Sequence, residues 1–218
     1  MIVTIDGPAG AGKSSAARAL AQRLGFRFLD TGAMYRAVAL AAIQRGMSWK
    51  DADGLAVMAQ TLKIKLQDDR TLLDGEDVTE AIRASEVTAT VRYVADNRDV
   101  RSHLVELQRR ASEGINVVSE GRDQGTIAFP HAECKIYLTA SAEERALRRK
   151  RELEGRGECV SFEAVLAQQN ERDLRDSSRA FGRLIPATDA ITVSTDGLEP
   201  GKVVDRLEAL VRQRQATQ

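Results

Sequence analysis

Apolar positions along the chain switch repeatedly between a continuous or alternating pattern and a helical one. The β-branched run Ile2-Val3-Thr4-Ile5 predicts a strand over 1–6. Ala16, Leu20 and Leu24 then fall at i, i+4 and i+8 and predict a helix over 15–24, stopped by Gly25. A short strand is predicted at 26–29, followed by an Ala-rich helix that begins within 30–36 and runs to about Arg45, where Gly46 closes it, and by an amphipathic helix over 48–62. The period then falls to two: 63–67 alternates, Asp68, Asp69 and Arg70 turn, and 71–73 answers as the second arm of a hairpin. After a further turn at 74–77, Val78, Ile82, Val87, Val91 and Val94 resume helical spacing. Val100, Leu104, Leu107 and Ala111 share one face of the next helix, which Gly114 ends. Strands are predicted at 115–119 and 134–139. The spacing Ser141-Ala142-Glu143-Glu144 opens a helix as a capping box, and Ser161 caps another running to about 177. A strand at 191–195 and a helix with Val204, Leu207 and Val211 complete the chain.

Five core strands alternating with helices predict an α/β fold with an open sheet. The hairpin and the helix after it form an insertion at 61–96. The Gly-containing break Glu154-Gly155-Arg156-Gly157, between two charged helices, resembles the hinge of a lid over 148–177. The core is then 1–60, 97–147 and 178–218, a single domain, as a length of 218 residues favours.

Charge adds an exclusion and a hint. Thirty-two basic residues balance 32 acidic ones, so the chain lacks the field that draws a nucleic-acid polymer or an anionic membrane, and any bound nucleotide is expected to be a small molecule. The cations are lopsided, 25 Arg against 7 Lys, and nine of the Arg lie between Arg145 and Arg183. Guanidinium forks suit phosphate oxygens. Cys134 and Cys159 lie in no metal-binding or disulfide pattern, no apolar run reaches the length of a membrane span, and a strand beginning at Met1 leaves no room for a signal peptide. A cytoplasmic protein is expected.

The chemistry concentrates where strands end. Gly7-Pro8-Ala9-Gly10-Ala11-Gly12-Lys13-Ser14 fits G-x-x-x-x-G-K-[ST] between a strand and a helix, so loop and helix N–H groups converge on phosphate. Lys13 is expected to reach the β- and γ-phosphates and the Ser14 hydroxyl to hold Mg²⁺. A second candidate is Asp30-Thr31-Gly32-Ala33-Met34-Tyr35-Arg36, where Thr31 is either a helix N-cap or, with Tyr35 and Arg36, a ligand-facing residue. A third is Glu120-Gly121-Arg122-Asp123-Gln124-Gly125-Thr126. Arg172, Arg175 and Arg179 fall at i, i+3 and i+7, which makes them either a solvated surface laced with Asp173 and Asp176 or a phosphate clamp. Arg36, Arg101, Arg122, Arg172 and Arg179 are the natural cations for a second phosphate, and Asp123 suits the exocyclic amino group of a base. Transfer onto a phosphate needs no general base, in keeping with two His, His103 and His131, that lie near no motif.

With these motifs the chain resembles the bacterial cytidylate kinases, among the nucleoside monophosphate kinases. The likeness runs through nearly the whole chain and also takes in Gly75-Glu76-Asp77-Val78, Glu171-Arg172-Asp173 and Pro186-Ala187-Thr188-Asp189-Ala190. It implies a three-layer P-loop fold with a five-stranded parallel sheet, a monophosphate-binding insertion, a mobile lid, and transfer from ATP with Mg²⁺ to CMP or dCMP. It implies an ATP site of residues 7–15 and Arg148, Gly7 to Lys13 with Ser14 and Ser15. Thr31, Arg101 and Asp123 would surround cytosine, with Tyr35 beside them. Arg36, Arg122 and Arg172 would hold the acceptor phosphate, with Arg172, Asp176 and Arg179 near ribose and phosphates. Lys13, Arg122, Arg172 and Arg179 would act on the transferred group. A monomer is expected, with no partner beyond its nucleotides.

The chain departs from the family where Arg92 replaces a small hydroxyl residue and Asp96-Asn97-Arg98-Asp99 a Pro-containing turn. Arg92 alters base contacts if it faces the pocket and changes nothing if it faces solvent. The rival readings are another P-loop kinase acting on UMP, AMP or a non-nucleotide acceptor, and a GTP-binding switch, which would carry an Asn-Lys-x-Asp motif that the sequence lacks.

Overall fold

The structure, a computed structural model, describes residues 1–67 and 69–216. Asp68, expected in the hairpin turn, and Thr217 and Gln218 lie outside the described residues. The chain divides into two compact units, one made of Met1–Phe28 and the chain from Ile115 onward, the other of Leu29–Gly114.

A five-stranded sheet has the order β2 (Arg27–Asp30), β6 (Val117–Glu120), β1 (Ile2–Asp6), β7 (Cys134–Thr139), β8 (Ile191–Ser194), its last four strands all within the first unit. Pairing is parallel at β1 with β6, β1 with β7 and β7 with β8. β1 lies in the middle and is buried on both faces, which is why its sequence is a continuous apolar run rather than an alternating one. Val3, Ile5, Val118, Ile136, Leu138 and Val193 of the sheet pack with Leu20 of α1 (Lys13–Leu24) and with Leu207 and Val211 of α8 (Pro200–Ala216). α6 (Ala142–Glu154) and α7 (Phe162–Ser178) add a smaller cluster around Ala146, Leu153 and Val165, and start at Ser141 and Ser161, whose side chains accept from Glu144 and Ala164 N–H as N-caps.

The second unit packs α2 (Thr31–Gln44), α3 (Ala52–Thr61), α4 (Ser85–Asp96) and α5 (Arg98–Ser112) with a small antiparallel sheet of β3 (Ile64–Gln67), β4 (Arg70–Leu73) and β5 (Glu76–Asp77). α2 is apolar around most of its circumference because neighbours cover it on most sides. Met34, Val38 and Leu40 meet Leu55, Met58, Ile82, Val94 and Leu104. The expected insertion 61–96 lies inside this unit, which also takes in α2, α3 and α5. β5 has no apolar signature because its two residues, both charged and exposed, join the sheet through the backbone alone.

Gln124–Ala128 form a wide helical turn in which the Phe129 N–H reaches back five residues to the Gln124 carbonyl at 2.7 Å. No periodicity announces it. It exists because the Asp6 carboxylate accepts from the Gln124 N–H at 2.9 Å and from the Gly125 N–H at 2.7 Å, tying the residues after β6 to the end of β1.

Gly7, the first residue after β1, lies at φ +147°, and a Cβ there would sit 1.9 Å from the Leu138 carbonyl oxygen on β7. Gly12 has φ +83° but open space around it, the nearest atom being Arg148 Nη1 at 3.9 Å. Gly12→Ala is therefore expected to cost the ~1–2 kcal/mol of a left-handed conformation. Gly7→Ala adds a collision with backbone that cannot rotate away and is expected to cost more, at least ~3 kcal/mol. Urea melts of the two variants check this, and equal midpoints would remove the close-approach explanation for Gly7.

Candidate functional site

β1 ends at Asp6, the loop turns through Gly7, Pro8, Ala9, Gly10, Ala11 and Gly12, and α1 begins at Lys13. Gly10 and Gly12 have positive φ, and no side chain caps α1, so its first N–H groups face the loop as an anion-binding end. Ala11 is buried, while Ser14 and Ser15 are exposed at the start of the helix. Lys13 is buried and its Nζ donates to the Pro8 carbonyl across the loop at 2.7 Å. Burial lowers its pKa to about 7, helped by the Arg122 and Arg172 guanidiniums and opposed by Glu120 and Asp6. The Ser14 hydroxyl donates to Glu120 Oε1 at 2.7 Å, joining the loop to the end of β6.

Asp6 holds the turn that follows β6. Besides the two N–H groups it receives, the Ser119 hydroxyl donates to Gln124 Oε1 at 2.8 Å, so the turn is fixed by side chain and backbone alike. Burial raises the Asp6 pKa to about 6; the Gly125 and Gln124 N–H bonds pull the other way. Arg122 and the buried Asp123 ride on this turn.

Arg122 is joined to α7. Its Nε lies 3.0 Å from Asp176 Oδ2, while Nη2 of Arg179 lies 2.7 Å from Asp176 Oδ1. Asp176 thus stands between two guanidiniums. Its burial alone would raise its pKa, but Arg122, Arg179 and Arg172 together hold it below the usual carboxylate range. Arg172 is exposed and its charge acts on both Lys13 and Asp176, whereas Arg175 pairs with Glu171 at 2.9 Å. The three-residue stripe therefore splits: Arg172 acts on the loop's Lys13, Arg179 is held by Asp176, and Arg175 is bound to Glu171 on its own helix. Arg148 lies against the loop as well, since Gly12 faces its Nη1, and it donates to Thr195 Oγ1 at 2.9 Å and to the Thr195 carbonyl at 3.0 Å.

In the second unit, Asp30 is the N-cap of α2, accepting from the Ala33 N–H at 2.8 Å, and the cap reading of Thr31 is corrected: Thr31 is the first helical residue, buried. Asp30 also pairs with Arg36 at 3.4 Å, and Gly32 leaves room for that guanidinium. The buried Arg101 stacks over the Tyr35 ring at 5.1 Å and donates to the Ala95 carbonyl at 2.8 Å. Arg92 is exposed, lying over the Tyr93 ring, which in turn stacks on Trp49. It belongs to the surface.

Asp6, Arg145 and Lys135 were not singled out from the sequence, although Asp6 directly precedes the loop motif. Lys135 is buried on β7 and binds the Pro130 carbonyl at 2.6 Å and Asp189 at 2.9 Å, so it fastens the 186–190 segment to the sheet. Among the described residues no group of three or more His, Cys, Asp or Glu is placed to hold a metal ion, and no helix is long and apolar enough to cross a membrane.

The family model described as cytidylate kinase matches residues 3–213. A cytidylate kinase of Rhodopirellula baltica is 53% identical over 98% of this chain and 93% of its own, and one of Pelotomaculum thermopropionicum is 49% identical over 96% and 95%. The fold is shared with a shikimate kinase of Bacteroides thetaiotaomicron, with a TM-score of 0.50, 13% identity and coverage of 97% of this chain and 98% of that one.

The two shifted groups set a pH dependence. Asp6 holds its proton more tightly in the folded chain, so its stabilising contribution is complete below 3.8 and is lost as pH rises through about 6. Lys13 is opposite: its contribution is complete above 10.5 and is lost as pH falls through about 7. Asp6→Asn removes the first effect, and with it the smaller support that the Asp6 charge gives the Lys13 ammonium. The stability of the wild type relative to this variant, from urea melts, is expected to fall by on the order of 3 kcal/mol between pH 4 and pH 7. A difference independent of pH would show that burial does not hold the Asp6 proton.

Proposed function

The chain belongs to the cytidylate kinase family, and from that membership we propose that it transfers the terminal phosphoryl group of ATP in line to the phosphate of CMP or dCMP. What carries the reading is 53% identity to a named cytidylate kinase along nearly the full length of both chains. The geometry of the first unit supports it, because a loop leading into a helix that no side chain caps, with two guanidiniums acting on one buried ammonium, suits a polyanion.

The donor phosphates are held by residues 7–15 and by Lys13, with Arg148 beside the loop. Lys13 titrates near 7 without ligand, and a neighbouring polyphosphate favours its charged form. Arg122 and Arg179, fixed on Asp176, are set to stabilise charge on the transferred group, and Arg172 adds a third cation. Thr31, Tyr35, Arg36 and Arg101 serve the acceptor nucleotide, Arg36 its phosphate, while Asp123 accepts from the cytosine amino group. The acceptor phosphate is already an oxyanion, so no base is required.

Mg²⁺ fits this chain. A hydroxyl and a carboxylate, Ser14 and Glu120, meet at the loop, and Mg²⁺ is usually held by one or two protein oxygens together with phosphates rather than by an all-protein cage. When bound, it neutralises charge on the phosphate oxygens. Free thiols at Cys134 and Cys159 support a cytoplasmic enzyme, and we take it to be a monomer.

Steady-state phosphorylation of CMP, dCMP, UMP and AMP, compared side by side, is expected to favour the two cytidine nucleotides; a clear preference for AMP would overturn the assignment. Arg172→Ala is expected to lower turnover on the order of 10²-fold, and Asp123→Ala to lose discrimination between CMP and UMP. Turnover of the first variant within threefold of wild type would make Arg172 a surface residue.

A further inference from the structure

Arg145 sits in the first turn of α6 with its side chain 7% exposed, and a guanidinium this deep needs partners on every edge. It finds them in three separate parts of the chain. Nε donates to the Ala140 carbonyl after β7 at 3.1 Å, and Nη1 donates to the Ala9 carbonyl at the tip of the loop at 3.0 Å. The same Nη1 lies 2.6 Å from Asp173 Oδ2 on α7. The backbone takes part too: the buried Gln169 of α7 donates from Nε2 to the Arg145 carbonyl at 3.3 Å. The loop tip closes directly on this junction, since a Cβ on Gly10 would lie 2.9 Å from Gln169 Nε2 and 3.1 Å from Arg145 Cβ.

One side chain therefore fixes α7 to the loop that grips the donor phosphates, through the residue next to Arg172. Stability alone accounts poorly for this arrangement. Asp173 Oδ1 is buried and accepts no hydrogen bond among the described residues, so the pair is not fully satisfied, and a buried ion pair is often no better than a well-packed apolar one. A lysine would keep the charge but not the fork that reaches a carbonyl and a carboxylate together. We propose that Arg145 is a positioning residue of the phosphoryl transfer: through Asp173 it sets the rotation and distance of α7 over the loop, and thereby aims Arg172. Arg145 and Asp173 act through Arg172. The inference rests on the reading of Arg172 as a phosphate cation.

The test is a double-mutant cycle on the full chain, with ATP and CMP as substrates. Asp173→Asn is expected to lower kcat on the order of tenfold in the wild-type background, as misplacement of a catalytic cation does. In the Arg172→Ala background it is expected to lower kcat by less than twofold, because the residue it aims is already gone. The same fold-loss in both backgrounds would show a general weakening of the fold and overturn the inference, while leaving the phosphate role of Arg172 intact. Arg172→Ala with wild-type turnover would instead remove that role and the inference with it. Arg145→Lys provides a second arm. It is expected to show the same dependence on Arg172, and if it does not fold, Asp173→Asn still decides, since it alters one partly exposed side chain.

Discussion

Like charges must be kept close together in the absence of anything to bind. Burial, with the Arg122 and Arg172 guanidiniums, brings the Lys13 pKa down to about 7, while Arg122, Arg179 and Arg172 hold Asp176 below the usual carboxylate range against its burial. Asp176 makes this assembly tolerable. One carboxylate, each oxygen turned to a different guanidinium, offsets the repulsion between Arg122 and Arg179 and removes the rotamer freedom of both. Because α7 carries Asp176 and the turn after β6 carries Arg122, the same interaction also fixes where that helix stands on the first unit.

The sheet supplies the rest of the placement. β1 sits at the centre with β6 and β7 on either side, so the residues leaving the carboxyl ends of all three strands meet, as open α/β sheets require at a switch in strand order. Asp6 ends β1, Glu120 ends β6, and each reaches sideways: Asp6 to the N–H groups of the next turn, Glu120 to the Ser14 hydroxyl. The wide turn at Gln124–Ala128 is the backbone's response to the Asp6 carboxylate, and it settles the position of Arg122 and Asp123.

Legibility in the sequence followed the range of the interaction. The loop motif is local, its conformation dictated by glycines and a following helix, so residues 7–14 could be read directly. The core strands and most helices were legible for the same reason, since apolar period reports burial face by face, whereas β5 and the wide turn at Gln124–Ala128 carry no such period. The resemblance brought Asp176 in as a residue near ribose and phosphates, but its pairing with Arg122 was not legible, because Arg122 lies 54 residues away and no spacing encodes that pair. Asp173 looked like a surface charge and is instead the counter-ion of a buried arginine. Arg145 was hidden among eight other arginines. At α2 the difference was one residue: Asp30 and Thr31 are both good caps, and the strand ends at Asp30, so the carboxylate takes the Ala33 N–H and Thr31 enters the helix.

The crowding of arginine between Arg145 and Arg183 has two physical origins. Arg149 and Arg175 pair with Glu152 and Glu171 on their own helices, an arrangement in which lysine serves as well. Arg145, Arg172 and Arg179 are different, because each is buried or acts on the same charges as other cations. Lys13 shows what happens to an ammonium there: burial and two neighbouring guanidiniums bring its pKa from 10.5 to about 7, to the edge of losing its charge at neutral pH. A further lysine in place of Arg122 or Arg179 would be subject to the same pressure, and one of the cluster would shed its proton before any anion arrived. A guanidinium does not deprotonate in this range, so it remains charged in company that an ammonium does not withstand, and its planar fork binds Asp176 in a single orientation. The preference for arginine at these positions therefore follows from the need to hold several cations around one small volume.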